Sequence, residues 1–187
     1  MIDRQEYERL PVAYDAEVVV LGGGPAGVAA AVGAARAGMK TMLIEKNGYC
    51  GGMAVAGMSG AICGLYNSGK NRPAEQIVYG FAGEFRYHLD RRHAITAPYR
   101  FGDTWIAMHD PLVWKEVADD LLAESGVRVL FHAWVSDVIA ENGEIRAVVI
   151  DGKDGRRIVA GRRFIDATGD GLVCAMAGVP FTMGKNG

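Results

Sequence analysis

The sequence predicts an α/β fold: a parallel sheet built on a βαβ unit, with a three-stranded antiparallel β-meander between later strands. Three observations predict it. Glu17-Val-Val-Val-Leu21 is a continuous β-branched run, the pattern of a strand buried on both faces. A glycine turn, Gly22 to Gly27, leads directly into the alanine-rich stretch Ala26 to Ala37. Further on, Asn142-Gly143 separates two apolar runs, the strongest short hairpin signal.

The elements follow in order. Ala26 to Ala37 is helical in composition, with Gly38 where a C-terminal cap belongs. Thr41-Met-Leu-Ile44 is a second short apolar strand, ending at Glu45. Between Lys46 and Arg72 glycine dominates without periodicity, so loops and short helical turns are expected. Pro73 to Leu89 is expected as a helix, followed by a polar and aromatic stretch through Trp105. Asp110-Pro111 is an N-cap followed by proline at the first helical position. In the helix it opens, Leu112, Val113, Val117, Leu121 and Leu122 make the apolar face, and Gly126 stops it. Val127 to Phe131 reads as a strand. The meander is expected over Val135 to Ala140, Glu144 to Asp151 and Arg156 to Ala160. Phe164-Ile-Asp166 is a final short strand running into Ala167-Thr-Gly-Asp-Gly171, with a small helix after it.

Composition excludes several classes. The chain has 187 residues, 50% hydrophobic and 22% charged, with a net charge of −2, so it is no intrinsically disordered chain. Glycine is abundant, 26 of 187, about twice its usual share, but it follows no collagen period. No basic run exceeds two residues, which argues against a nucleic-acid binder. Val18 to Ala35 is 18 uncharged residues, the length of a membrane span. Gly22-Gly23-Gly24-Pro25 interrupts it, so a strand, a turn and a helix are expected instead. The start is charged, unlike a secretory signal, and three dispersed cysteines make no disulfide framework. The chain is expected to be cytoplasmic.

Gly22-x-Gly24-x-x-Gly27 sits between a strand and a helix, the context a dinucleotide fingerprint requires. The first glycine makes the tight turn and the second lets backbone approach a pyrophosphate. The third lets helix and strand pack closely. The helix N-terminus adds unpaired N–H groups and about half a positive charge. Glu45 ends the second strand, 18 positions after Gly27, where an acid hydrogen-bonds a ribose hydroxyl. An ordinary strand-terminal glutamate after a structural glycine turn is the competing interpretation. Glu45 suits the adenosine ribose of FAD and of NAD equally. The pattern is Rossmann-like.

Four motifs carry a resemblance. They are Val18-Val-Val-Leu-Gly-Gly-Gly-Pro-Ala-Gly27, Leu43-Ile-Glu-Lys46, Cys50-Gly-Gly-Met53 and Phe164-Ile-Asp-Ala-Thr-Gly-Asp-Gly171. Through them the chain resembles the FAD-dependent oxidoreductases of the glutathione-reductase-type FAD-binding superfamily, related to fumarate reductase flavoproteins. The resemblance implies FAD as cofactor. It implies that Glu45 holds the adenosine ribose and that Gly22, Gly24, Ala26 and Gly27 line the pyrophosphate. Val135 would pair with adenine through its backbone, and Gly51, Gly52 and Met53 would run toward the ribityl chain and flavin. Ala167, Thr168 and Gly169 would back the adenosine; Pro25, Lys46 and Asp170 complete the implied set.

Members of that family usually continue into a substrate domain and a segment closing over the flavin. Residues 1–187 are therefore expected to form one incomplete FAD-binding domain, a fragment or one subunit of a split enzyme. The expected activity is two-electron hydride transfer with a small organic substrate. Two alternatives stay open: a noncatalytic FAD-holding subunit needing a partner, and an NAD-dependent Rossmann dehydrogenase domain.

Other residues carry less. Gly64-Leu-Tyr-Asn-Ser-Gly-Lys70 matches the start of a P-loop, but Asn71 replaces the magnesium-binding Ser or Thr, so a flexible loop is expected. Lys70 and Arg72 remain able to meet an anionic substrate. His88, His93, His109 and His132 lack metal spacing; His88 and His93 are expected on a solvated basic face, and His109, beside the Asp110 cap, in a structural or loop role, with a proton source for the flavin as the alternative. Cys50 and Cys63 are expected as small buried hydrophobes. No catalytic residue is assigned.

Overall fold

Residues 18–21 end the first strand, β1 (Val12–Leu21), and their side chains alternate between two covered faces. Val19 and Leu21 enter a core with Met42, Ile44, Val135, Val148 and Val159. Val18 and Val20 point the other way and are buried as well. Each such side chain contributes about 1.5–3 kcal/mol on burial. That double burial is why the run is unbroken by polar residues.

The computed structural model describes Tyr7 and residues 9–184; residues 1–6, 8 and 185–187, which hold most of the charged start and the end of the sequence, lie outside the described residues. In chain order the elements are β1 (Val12–Leu21), α1 (Pro25–Arg36), β2 (Thr41–Ile44), β3 (Ala61–Ser68) and α2 (Phe81–Arg91). Then come β4 (Tyr99–Phe101), β5 (Thr104–Met108), α3 (Pro111–Glu124) and β6 (Arg128–Leu130). Last are β7 (Trp134–Glu141), β8 (Glu144–Gly152), β9 (Gly155–Asp166) and α4 (Leu172–Met176). The chain divides into two compact units, one of Met1–Tyr49 with Leu122–Gly187, the other of Cys50–Leu121.

The first unit holds a six-stranded sheet in the order β6-β2-β1-β9-β8-β7. β6, β2, β1 and β9 run parallel. β7, β8 and β9 form the expected antiparallel meander. α1 packs along β1 and β2 and buries Gly27, Val28, Ala31 and Val32. Asn142 and Gly143 both take positive φ, 52° and 77°, as the hairpin between β7 and β8 requires.

Two strands expected separately are one. Arg156 to Ala160 and Phe164 to Asp166 belong to the single strand β9, which pairs with β8 over its first half and with β1 from Ile158 to Asp166. Gly161 joins the halves, and a Cβ there would lie 2.8 Å from Val19 Cγ2. Pairing with β9 also draws β1 back to Val12, before the apolar run.

The second unit holds a three-stranded antiparallel sheet in the order β3-β5-β4. Its core is Leu65, Tyr66 and Ala107, with Ile62, Ala82, Ile95 and Trp105 against it. Several expectations are corrected here. The span 46–72 contains β3, which absorbs Gly64 and most of the P-loop-like match. The polar and aromatic stretch is a hairpin, β4–β5, turning at Gly102 (φ 60°). The helix expected over 73–89 begins only at Phe81. Upstream, Asn67 accepts from Glu75 and donates to Pro73, while Ile77 N–H donates to the Leu65 carbonyl. Those bonds hold the segment extended beside β3.

Asp110 caps α3 as expected, accepting the Leu112 amide at 2.7 Å. The buried face of α3 is Trp114, Val117, Ala118, Leu121 and Leu122; Leu112 is 63% exposed. Trp114 takes its place, its ring centroid 4.7 Å from that of Phe85.

Candidate functional site

β1 lies between β2, its successor in the chain, and β9, which arrives last. The strand order therefore reverses at β1, and open sheets bind ligands beyond the carboxyl ends at such a switch point. Four segments leave those ends in the first unit: residues 22–27 after β1, 45–48 after β2, 131–133 after β6 and 167–171 after β9.

Glycine is required in the first segment for steric reasons. Gly22 has φ 103°, and a Cβ there would lie 2.4 Å from the Ala167 carbonyl oxygen. A Cβ on Gly27 would fall 1.8 Å from the Gly22 carbonyl oxygen. Gly24 is the N-cap of α1 and offers no side-chain cap; Pro25 is the first helical residue. Pro25 and Ala26 are exposed, so the amide end of α1 stands open with no side chain over it. The backbone forms a cradle that a nucleotide pyrophosphate fits.

Glu45 closes one side of this cradle. It is 5% exposed. Its Oε2 accepts the Gly23 amide at 2.6 Å, and its Oε1 accepts both the backbone and side-chain N–H of Asn47 at 2.8 Å. Its own amide donates to the Leu130 carbonyl, and its carbonyl accepts from Ala133. Glu45 thus joins the glycine turn, the end of β2 and the segment after β6.

Asp166 organises the opposite side, a role the sequence did not single out. Its carboxylate accepts the Thr168 hydroxyl at 2.7 Å and amide at 3.1 Å. It also accepts the Val173 and Cys174 amides at 2.9 and 3.0 Å, capping α4. Partial burial pushes its pKa up, but the Cys174 amide and the Thr168 hydroxyl and amide outweigh that, leaving it below the ordinary carboxylate value. The Thr168 hydroxyl accepts from Leu172 in turn. Ala167 donates its amide to the Leu21 carbonyl. The chemical signal was present, a Thr two residues after an Asp and just before a helix.

Gly22, Gly24, Pro25, Ala26, Gly27, Glu45, Lys46, Val135, Ala167, Thr168, Gly169 and Asp170 all lie in this unit. Val135 is buried and pairs with Ile150, and the ladder slips one residue beyond it. Lys46 is exposed, with Nζ 5.0 Å from the centroid of the Trp134 ring. Gly51, Gly52 and Met53 lie in the other unit, at a 3-10 turn Gly52–Ala54, where Met53 is 68% exposed. His109 holds that turn: its Nε2 lies 3.0 Å from the Ala54 carbonyl oxygen. An acceptor there requires the proton on Nε2, and Nδ1 is buried without a hydrogen-bond partner. Of the three cysteines Cys50 is buried as expected, whereas Cys63 is exposed, as is Cys174.

Residues 17–187 match the family described as FAD dependent oxidoreductase. The chain belongs to this family. FAD is the cofactor the family indicates, and the uncapped cradle with its buried acid fits a dinucleotide. The thiamine thiazole synthase of Aeropyrum pernix is 30% identical over 153 residues, 78% of this chain and 47% of that protein. Among solved structures, a geranylgeranyl bacteriochlorophyll reductase-like protein from Thermoplasma acidophilum aligns with a TM-score of 0.63 and 22% identity, over 90% of this chain and 44% of that one. L-proline dehydrogenase from P. horikoshii aligns with a TM-score of 0.61 and 18% identity, over 94% and 58%. These two likenesses establish the shared fold. The chain thus spans about half the length of each of these three proteins. Among the described residues, no helix is long and apolar enough to cross a membrane.

Proposed function

We propose that this chain supplies the FAD-binding part of an oxidoreductase acting on a small organic substrate by two-electron hydride transfer. The cradle built by Gly22, Gly27 and Glu45 carries the reading. When bound, FAD supplies the two-electron redox capacity. The residues of the chain bind and orient it. The open amides of α1 neutralise the pyrophosphate, and Glu45 accepts from the adenosine ribose while its charge disfavours a 2′-phosphate. The Val135 backbone meets the adenine edge. Ala167, Thr168, Gly169 and Asp170, held in shape by Asp166, back the adenosine. Gly51, Gly52 and Met53 are assigned to the flavin end on their motif alone.

The spans of the relatives support a division of labour. In this reading a further stretch of chain, or a second subunit, shapes the substrate pocket. Reconstitution with FAD tests the proposal: the folded protein should turn yellow and release flavin on heating. A protein that is folded by circular dichroism yet stays colourless after incubation with FAD overturns it.

A further inference from the structure

Beside the cradle stands a pair of exposed side chains, Trp134 and Lys46. Trp134 opens β7 between buried Ala133 and buried Val135, so the alternation of the strand turns its indole away from the core. It is 51% exposed, a large apolar surface left open. Lys46, the residue after Glu45, lies over that ring with Nζ 5.0 Å from its centroid. The two segments are tied together one residue before each side chain, where the Ala133 amide donates to the Glu45 carbonyl. The pair therefore stands on the lip where the chain leaves β2 and enters β7, next to the ribose-binding carboxylate.

We propose that Trp134, steadied by Lys46, is the outer wall of the purine subsite and a cofactor-positioning residue. The inference rests on the FAD reading above and adds to it a side-chain contact for the adenine ring. An indole has the flat apolar face on which a nucleobase stacks, and this contact needs no hydrogen-bond readout. Lys46 favours the observed orientation of the ring through a cation–π contact. The lysine stem adds apolar surface at the same lip. Binding through this wall is directed at the adenosine end, so it favours FAD and ADP and leaves FMN unaffected.

The test uses the 187-residue chain and three probes: FAD, ADP and FMN. Trp134→Ala should weaken FAD and ADP about tenfold, the loss of one base–aromatic contact, with an unchanged melting curve and unchanged FMN binding. Trp134→Phe, which keeps an aromatic face, should restore most of the affinity. ADP should alter tryptophan emission in the parent chain, and the change should vanish in Trp134→Phe, with Trp105 and Trp114 as internal reporters. Unchanged FAD and ADP affinity in Trp134→Ala overturns the inference while leaving the FAD reading intact. So does an ADP response that persists in Trp134→Phe. A folded parent chain that takes up no FAD overturns the function itself, and this inference with it.

Discussion

The Glu45 carboxylate accepts the Gly23 amide at 2.6 Å, across 22 positions of sequence. The acid that ends β2 therefore shapes the glycine turn that ends β1. One residue thus serves the fold and, in the function proposed above, the cofactor as well.

Replacing it should affect both. Glu45→Ala leaves the Gly23 amide and both Asn47 donors without an acceptor, at a cost of about 2–3 kcal/mol for charge-assisted bonds lost in a buried site. FAD affinity should fall about tenfold or more, since a charged hydrogen bond to the ribose goes too. Glu45→Gln, which keeps an acceptor, should fall between. Denaturant unfolding and flavin titration read the two effects separately. Equal FAD affinity in Glu45→Ala and the parent would remove Glu45 from the ribose site.

Two glycines of α1 should respond in opposite directions. A methyl at Gly27 has no room, with the Gly22 carbonyl oxygen 1.8 Å from its position. Gly33 is exposed and has nothing within 4 Å. Gly33→Ala should raise stability by about 0.5–1 kcal/mol through helix propensity. Gly27→Ala should lower it by more than that and abolish FAD retention. Thermal melts of the two variants decide it, and a harmless Gly27→Ala would refute the close helix–strand packing.

Asp166 gives a pH signature. Its folded pKa lies below the ordinary value of 3.8. Its stabilising contribution is therefore complete above that value and fades as pH falls through the lower folded value. Asp166→Asn should cost about 1 kcal/mol at neutral pH, as expected of a lost helix cap. That gap should hold through mild acid and narrow only below 3.8. Urea unfolding across pH follows it; a gap that closes between pH 7 and 5 would contradict the assignment.

The cysteines should separate by reactivity. Cys50 is buried, and Cys63 and Cys174 are exposed. Slight desolvation and the neighbouring Asp166 push the Cys174 thiol up, which lowers its thiolate fraction. A thiol reagent at mildly alkaline pH, read by peptide mass spectrometry, should label Cys63 first, Cys174 more slowly and Cys50 only on unfolding. Fast labelling of Cys50 in the native chain would contradict its burial.

Much of the cradle was legible because it depends on backbone conformation, which glycine reports directly. The run through Val19, the turn at Gly22 and Gly27, and Glu45 at the end of β2 all stand where the sequence puts them. The rest depended on contacts between distant segments. Gly161 looks like a strand boundary, yet it is the point where one strand passes close to Val19. Residues 73–78 look helical until Asn67 binds them beside β3. Trp134 and Lys46, 88 positions apart, meet only once β2 and β6 are neighbours. Local pattern carries no trace of such pairings.

Calorimetric titration of the folded chain with FAD, FMN and NAD tests the central claim most directly. Saturable, equimolar binding of FAD is expected, with FMN and NAD each at least about tenfold weaker, the equivalent of one lost contact region. FMN binding as tightly as FAD would show that the adenosine cradle contributes nothing. NAD binding more tightly than FAD would make the chain a nicotinamide-binding domain instead.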